Sequence, residues 1–341
     1  AYAPTMAAAS ERFAARWTAM EPGAEVDMAA EMTALTLEII AQTMFSTSSA
    51  RLAWLINETV QNVLAANSFS LLDIAPVIGG LRLKARDARM RAIFAELDAA
   101  LDRLIAEREM DAANAPMDLL GRLLAAKDAE TGAGMTAREV RDQVVTIFLA
   151  GHDTTAGTMT WVWYLLARNP AEAARLHAEL GSVLAGRTPT AEDVQRLPYT
   201  RMVIEEAMRL YPVAPGVSDR QARAADTLAG VRVPKGALVF INSWVLHRNP
   251  ALWPDPERFD PERFSSERSK DRPRHAYIPF GAGPRVCIGA ALATTEAVLI
   301  LAVLAQRYRP TLVSERPVRL QHKVTLHPRG GLPMRLVRRG A

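Results

Sequence analysis

Cysteine is nearly absent: the 341 residues contain one, Cys287. A single thiol closes no internal disulfide, so the chain suits a reducing compartment and a cytoplasmic location is expected. Long apolar runs are missing as well. None reaches the ~18 residues of a membrane span, so none is expected to cross a bilayer. The opening AYAPTMAAASERFAARW has no basic-then-apolar signal pattern, and no initiator Met leads it, so it does not read as a natural start. There is no Gly/Ser tract, Pro-rich linker, charge block or internal repeat, and one domain over 1–341 is expected. The net charge of +4 is scattered, with no basic helix and no ladder of aromatic and basic residues. Nucleic acid is therefore not an expected partner.

What is present is ordinary globular usage, 49% hydrophobic and 23% charged, ample for a large core. Ala, Leu, Arg and Glu dominate to about residue 211, with apolar residues at helical spacing. This predicts helices over 3–19, 25–45, 50–67, 82–109, 116–128, 136–168, 170–185 and 198–211. Thr136 and Glu139 have capping-box spacing at the start of the longest, and Pro170 stops it. After Pro212 the texture changes. VRVPKGALVFINS reads as two short strands around a turn, and HRNPALWPDPERF packs prolines too densely for a helix or a central strand. A helix over 288–308 follows, and VTLHPRGGLPMRLV reads as a closing hairpin. The expected fold is mainly α with a small β part (α+β), helix-rich over 1–211 and carrying its strands and a glycine loop over 212–341.

That loop, FGAGPRVCIG (280–289), surrounds the only thiol. A metal-binding thiolate needs an electropositive setting. The apolar helix that follows would aim its unpaired N–H groups and positive dipole end at the sulfur. Gly281 and Gly283 allow backbone angles other residues resist, and Gly289 leaves room for something flat. The plainer alternative is a buried hydrophobe, the common fate of a lone cysteine. A dinucleotide loop is excluded, because Val286 stands where its third glycine would be.

The long helix is interrupted by AGHDTT (150–155). Gly151 weakens it, Asp153 sits among apolar neighbours, and Thr154 can bond back to the Ala150 carbonyl. The result is a polar notch that either accommodates a neighbouring helix or sets an acid beside an alcohol, as a proton relay requires. In VIEEAMRLYP, Glu206 and Arg209 share a helix face, either as a surface ion pair or as a buried pair with further partners, of which Arg263 is a candidate.

Four motifs now stand in order: AGHDTT (150–155), EAMR (206–209), PERF (261–264) and FGAGPRVCIG (280–289). On these the chain resembles the cytochrome P-450 family of haem-thiolate monooxygenases over essentially its whole length. The resemblance implies haem b (iron protoporphyrin IX) as cofactor and O2 as co-substrate, with no bound nicotinamide or flavin. It implies Cys287 as axial ligand of the iron, a push ligand favouring O–O cleavage. Phe280 would shield the sulfur, Gly289 would admit the ring, and Ala150 would face it. Arg285 and Arg220 match the propionate partners, a task suited to a guanidinium fork. Asp153 and Thr154 match the proton-delivering pair. Glu206, Arg209 and Arg263 match a structural triad. Phe148, Ala150, Gly151, Val213 to Val217 and Val324 to Leu326, including Thr325, would line the substrate pocket.

The family's N-terminal strands, first helices and the helix whose Trp and Arg hold a propionate have no counterpart in the sequence. Trp244 and Arg248 have that spacing but fall in the wrong order. The resemblance therefore implies a chain beginning just after that helix, with a sheet short of partner strands and a haem short of cover. Reaction and partners follow from the resemblance: one oxygen atom inserted into a small apolar organic molecule by a bacterial-type, monomeric enzyme. Its two electrons would come from a separate ferredoxin or flavodoxin of acidic surface, steered by Arg268, Lys270, Arg272 and Arg274 ahead of the cysteine loop. The alternatives are a peroxide-driven enzyme of the same fold, which typically lacks the acid–alcohol pair, a non-catalytic haem-binding remnant, and a cofactor-free helical interaction protein.

Overall fold

The computed structural model describes residues 2–46, 55, 78–111, 114, 116–322 and 324–339, and side chains are not described for part of 78–93 or for 217–219. The helix expected over 50–67 lies outside the described residues except Leu55. The others form within a few residues of expectation: α1 (Ala3–Thr18), α2 (Met28–Phe45), α3 (Ile78–Met110), α4 (Leu119–Ala125), α5 (Ala137–Arg168), α6 (Pro170–Leu184) and α8 (Pro198–Leu210). A short α7 (Asp193–Arg196) was not foreseen; one turn is too brief to show a period. The start expected at 25 is instead a strand, β1 (Glu25–Asp27), because Asp27 caps α2 by accepting the Ala29 N–H at 3.0 Å.

The capping box forms as spaced. The Thr136 N–H donates to Glu139 Oε2 at 2.7 Å, and the Glu139 N–H donates to Thr136 Oγ1 at 3.3 Å. These bonds to the Thr136 N–H and hydroxyl hold the Glu139 carboxyl below its ordinary pKa. Pro170 opens α6, and Ala185 ends it at φ 49°.

The chain divides into two compact units. The unit over 36–153 has a core with helical spacing on each contributor: Leu97, Leu101 and Ile105 of α3, Val140, Val144 and Phe148 of α5, and Met44 and Phe45 of α2. The other unit joins 1–35 to 154–341. Its centre is α11 (Ala290–Arg307), in which every residue from Glu296 to Ala305 is buried. By length and composition this helix could cross a membrane, but burial all round marks a core helix. Glu296 enters that core without an ion-pair partner among the described residues, and burial pushes its carboxyl up to about 8.

The β part is small. β9 (Pro333–Arg335) lies between β1 and β6 (Thr311–Leu312), antiparallel to both. Asp27 Oδ1 accepts the Leu332 N–H at 2.8 Å, and a Cβ on Gly331 would lie 2.2 Å from Asp27 Oδ2, so only glycine fits that turn. The two strands expected in VRVPKGALVFINS form as β4 (Val231–Val233) and β5 (Leu238–Asn242) but do not pair with each other. β4 pairs with β3 (Asp226–Leu228) and β5 with β2 (Gly216–Gln221). The expected closing hairpin is also corrected. β8 (Leu326–Pro328) turns back on β7 (Leu320–His322), while β9 joins the other sheet. Among the described residues β5 has one partner strand, and Leu238, Phe240 and Ile241 are exposed on it.

Two helical glycines make a matched test. A Cβ on Gly157 of α5 would lie 2.9 Å from Val213 Cγ1, a stiff β-branched neighbour, whereas a Cβ on Gly181 of α6 meets nothing within 4 Å. Gly181→Ala is expected to stabilise by up to ~1 kcal/mol through helix propensity. Gly157→Ala is expected to lose that gain to overpacking of about 1–3 kcal/mol. Urea unfolding of the two variants checks both.

Candidate active site

The cysteine loop is built from its glycines and its closing hydrogen bond. Gly281 (φ 74°) and Gly283 (φ 73°) take left-handed angles, a short 3-10 turn follows at Gly283–Arg285, and the Cys287 N–H donates back to the Phe280 carbonyl at 2.9 Å. Gly289 caps α11, and a Cβ there would lie 3.7 Å from Cys287 Sγ. Cys287 is thus a free, exposed thiol at the mouth of a helix N-terminus. Its neighbours Val286 and Ile288 are exposed too, Ile288 by 91%. Arg285 lies on the surface of the loop with no ion-pair partner among the described residues. Arg220 is at the exposed end of β2, its backbone opposite Val239.

Behind the loop stands a buried ion pair. Glu206 and Arg209 of α8 are fully buried. Arg209 Nε donates to Glu206 Oε2 at 2.6 Å and Nη2 to Oε1 at 2.8 Å. The remaining guanidinium hydrogens reach the carbonyls of His247 (2.8 Å), Pro256 (2.7 Å) and Arg258 (3.2 Å). Arg263 joins through Nε, 3.4 Å from Glu206 Oε1, and donates to the Pro254 and Asp255 carbonyls. Burial pushes the Glu206 carboxyl up, against the pull of Arg209, the Asp260 N–H and Arg263. The three predicted members therefore come together, and their main target is the proline-dense backbone of 247–258.

Sequence reasoning missed His247. It is fully buried in the turn that follows α9 (Ser243–Leu246), and its Nε2 accepts the Ile278 N–H at 3.0 Å, two residues before Phe280. Burial and Arg209 lower its pKa to about 4, so the ring is neutral and able to accept. Its only sequence signal was a histidine beside Arg248 in a turn. Arg272, expected on a basic surface, is half-buried instead: it stacks on Trp253 (4.4 Å) and Phe264 (4.7 Å) and donates to the Arg263 carbonyl. Arg268, in the one-turn α10 (Ser266–Ser269), pairs with Asp260 at 2.8 Å, and Lys270 and Arg274 are exposed.

The polar interruption of α5 does not break the helix. Within the unit over 36–153, a Cβ on Gly151 would lie 3.0 Å from Ile40 Cδ1, so the glycine lets α2 approach. Thr36 donates to the His152 carbonyl at 3.1 Å. Ala150 is exposed and Asp153 half-buried. Phe148, expected to line a pocket, is fully buried in the core of this unit, stacked on Phe45 at 6.2 Å. Within the other unit, Thr154 is half-buried, and Thr158 donates to its carbonyl at 2.9 Å. Val213 fills the space that Gly157 leaves, and its carbonyl accepts the Leu326 N–H at 2.8 Å. The Leu326 carbonyl accepts Trp161 Nε1 at 3.0 Å. Thr325, beside it, is buried. The Val217 backbone lies in β2 opposite Ile241, and its side chain is outside the described residues.

The donor set fits a haem. A soft sulfur donor faces outward at a helix N-terminus, an apolar side chain is exposed on each side of it, and a glycine keeps the approach to it clear. Large exposed apolar groups of this kind mark a surface meant to be covered. An outward thiol in a loop tied through His247 to a buried ion pair, in a mainly helical fold, is a donor set a haem iron could take. The comparisons resolve the class. The family profile for cytochrome P450 matches residues 1–333. Cyclooctatin synthase of Streptomyces melanosporofaciens is 39% identical over 326 residues, 95% of this chain and 70% of that protein. Cyclooctat-9-en-7-ol 5-monooxygenase of the same organism is 39% identical over 85% of this chain and 62% of its own length. Pentalenene oxygenase of Streptomyces avermitilis is 34% identical, covering 96% and 72%. Among solved structures, the cytochrome P450DA heme domain superposes with a TM-score of 0.89 at 29% identity over 99% of this chain and 73% of that one. The chain belongs to the cytochrome P450 family. It is a haem-iron monooxygenase that uses dioxygen, and the relatives named above are bacterial.

Two outcomes test the scaffold behind the thiol. Arg209→Ala is expected to cost about 3–5 kcal/mol, because it strands the buried Glu206 carboxylate, and Arg209→Lys to recover little, lacking the planar fork. Chemical unfolding measures both. His247 has a depressed folded pKa, so its contribution is present above its ordinary 6.5 and is lost as pH falls toward about 4. His247→Gln, which can still accept the Ile278 N–H, is expected to flatten the fall in unfolding midpoint across that window.

Proposed function

We propose that Cys287 would hold the iron of haem b through its sulfur and that the enzyme hydroxylates an apolar, terpene-sized substrate. The observation that carries this is the outward thiol between exposed Val286 and Ile288 at the start of α11. When bound, the haem supplies the activation of dioxygen and the oxidising power; the protein supplies the ligand, the dry wall and the proton path. Cys287 stands at the positive N-terminal end of α11, a setting suited to a metal ligand, and Phe280 and Gly289 set what can lie against the sulfur. Arg285 and Arg220, both exposed, would hold the propionates. Asp153 takes protons from solvent and Thr154 hands them inward by its hydroxyl, an acid beside an alcohol on one helix. Val213, Val217 and Thr325 line the substrate side. The terpene size rests on the names of the Streptomyces relatives, and the apolar character on Val213 and Leu326.

Electrons come from a separate acidic ferredoxin or flavodoxin. The exposed Arg268, Lys270, Arg274 and Arg285 near the cysteine loop in sequence support this, since cationic side chains steer an acidic partner. The enzyme acts as a cytoplasmic monomer.

The test is the absorption spectrum of haem-loaded protein, reduced and under carbon monoxide. A strongly red-shifted Soret band is expected, and Cys287→Ser is expected to abolish it; an unchanged band in the variant refutes the assignment. Asp153→Asn should leave that band intact and slow donor-driven turnover by roughly 10²–10⁴-fold, the usual range for losing a positioned acid. Turnover with hydrogen peroxide alone, unaffected by Asp153→Asn, would favour a peroxide-driven enzyme instead.

A further inference from the structure

The net charge looks scattered along the sequence, but its last stretch is one-sided: residues 306–341 hold nine Lys and Arg against one carboxylate, Glu315. The fold engages some of these cations. Arg307 pairs with Glu11 and Arg335 with Glu25, each at 2.6 Å, and Arg338 donates to the Thr18 and Met20 carbonyls. Two guanidiniums beside them have no carboxylate among the described residues. Tyr308 and Arg338 form an antiparallel bridge, closed by the Arg309 N–H on the Val337 carbonyl (2.8 Å) and the Arg339 N–H on the Arg307 carbonyl (2.9 Å). Tyr308 is buried, so the side chains one residue on, Arg309 and Arg339, project from the other side of this ladder. They are diagonal neighbours there, a spacing that long side chains span. Arg339 is half-buried and tethered, its Nη1 donating to the Ala305 and Gln306 carbonyls at the end of α11. Arg309 is exposed, and its guanidinium has no hydrogen bond or ion pair among the described residues. The third member is His177 of α6, a helix that packs on α11. Burial, Arg339 and Arg309 together lower its pKa to about 4, so both guanidiniums bear on a neutral ring. Acids on the neighbouring helices are already engaged: Glu11 by Arg307, Asp193 by Arg187 and Arg196, and Glu179 by the Tyr199 and Thr200 N–H groups.

We propose that His177, Arg309 and Arg339 form a binding site for a phosphate group, distinct from the site at the cysteine loop. Cys287 precedes the start of α11 and these residues gather at its end, 18 residues or about 27 Å along the helix. Like charges on neighbouring ladder positions repel, and half-buried ones lose hydration as well. A bound anion relieves both. Two guanidinium charges match a dianion, and their planar forks suit phosphate oxygens. The neutral imidazole adds one N–H donor. A monovalent carboxylate would leave one of the two charges unmatched. The donors come from α6, from the residues after α11 and from the last strand segment, so a bound phosphate would tie three separate segments together. A soluble phosphate ester and a phospholipid headgroup carry the same group, and the titrations below separate them.

The test is isothermal titration calorimetry of haem-loaded protein with inorganic phosphate, at an ionic strength held constant with chloride. A Kd of about 1 mM or tighter is expected. The Arg309 side chain holds no part of the fold among the described residues, so Arg309→Gln should stay folded and weaken binding about tenfold or more, the worth of a charge-assisted hydrogen bond. Arg339→Gln should do the same, and His177→Phe should weaken binding severalfold. Arg316→Gln, at an exposed arginine after β6, should change nothing. Far-UV circular dichroism and the carbon-monoxide band confirm that each variant is folded and loaded. Displacement of phosphate by glycerol 3-phosphate assigns a soluble ester, displacement only by vesicles of phosphatidic acid assigns a headgroup, and displacement by neither assigns the free ion; each supports the site. No phosphate binding beyond that of chloride, an unchanged affinity in Arg309→Gln, an equal loss in Arg316→Gln, or acetate bound as tightly as phosphate overturns the proposal.

Discussion

Everything downstream of α8 depends on one buried guanidinium. Arg209 has five N–H donors, and all five are matched: two on the Glu206 carboxylate and three on the carbonyls of His247, Pro256 and Arg258. A buried charge tolerates no less, since an unpaired donor in a low-dielectric interior is costly. The consequence is positional. A segment with too many prolines for ladder hydrogen bonds is held by side-chain donors instead. Arg263 and Arg272 extend the same device, one to the carbonyls of Pro254 and Asp255, the other stacked between Trp253 and Phe264.

The cysteine loop is reached from this scaffold by short steps. The His247 carbonyl accepts from Arg209, and its ring accepts the Ile278 N–H. Two residues later Phe280 closes the loop on the Cys287 N–H. From Cys287 the chain enters α11, a helix whose burial fixes its direction and so fixes where its N-terminal dipole points. Stability and function divide cleanly here. The ion pair and the middle of α11 are buried and hold position, while Cys287, Val286 and Ile288 are exposed.

Much of this was legible in the residues. The 3.6-residue period marked the long helices, because a helix that buries one face must repeat its apolar positions at that interval. Thr136 with Glu139, and Pro170, marked the ends of α5 for local reasons that need no tertiary contact. Glu206 with Arg209 were readable as sharing a face. What misled was pairing. VRVPKGALVFINS and VTLHPRGGLPMRLV each look like a hairpin, yet β5 pairs with β2, and β9 with β1 and β6. Short strands carry too few residues to specify a partner, so the choice falls to whatever distant strand the packed helices bring alongside.

The sequence by itself determined the local things: which segments coil, where they start and stop, and that a lone thiol sits in a glycine loop ahead of an apolar helix. Those follow from backbone geometry and nearest-neighbour spacing. Only the tertiary structure decided which polar residues are buried and what they bind. It moved Arg272 from an expected surface patch into an aromatic stack, placed Phe148 in a core, and recruited His247 as an acceptor. Burial and long-range hydrogen bonding are properties of the assembled chain, and no local pattern encodes them.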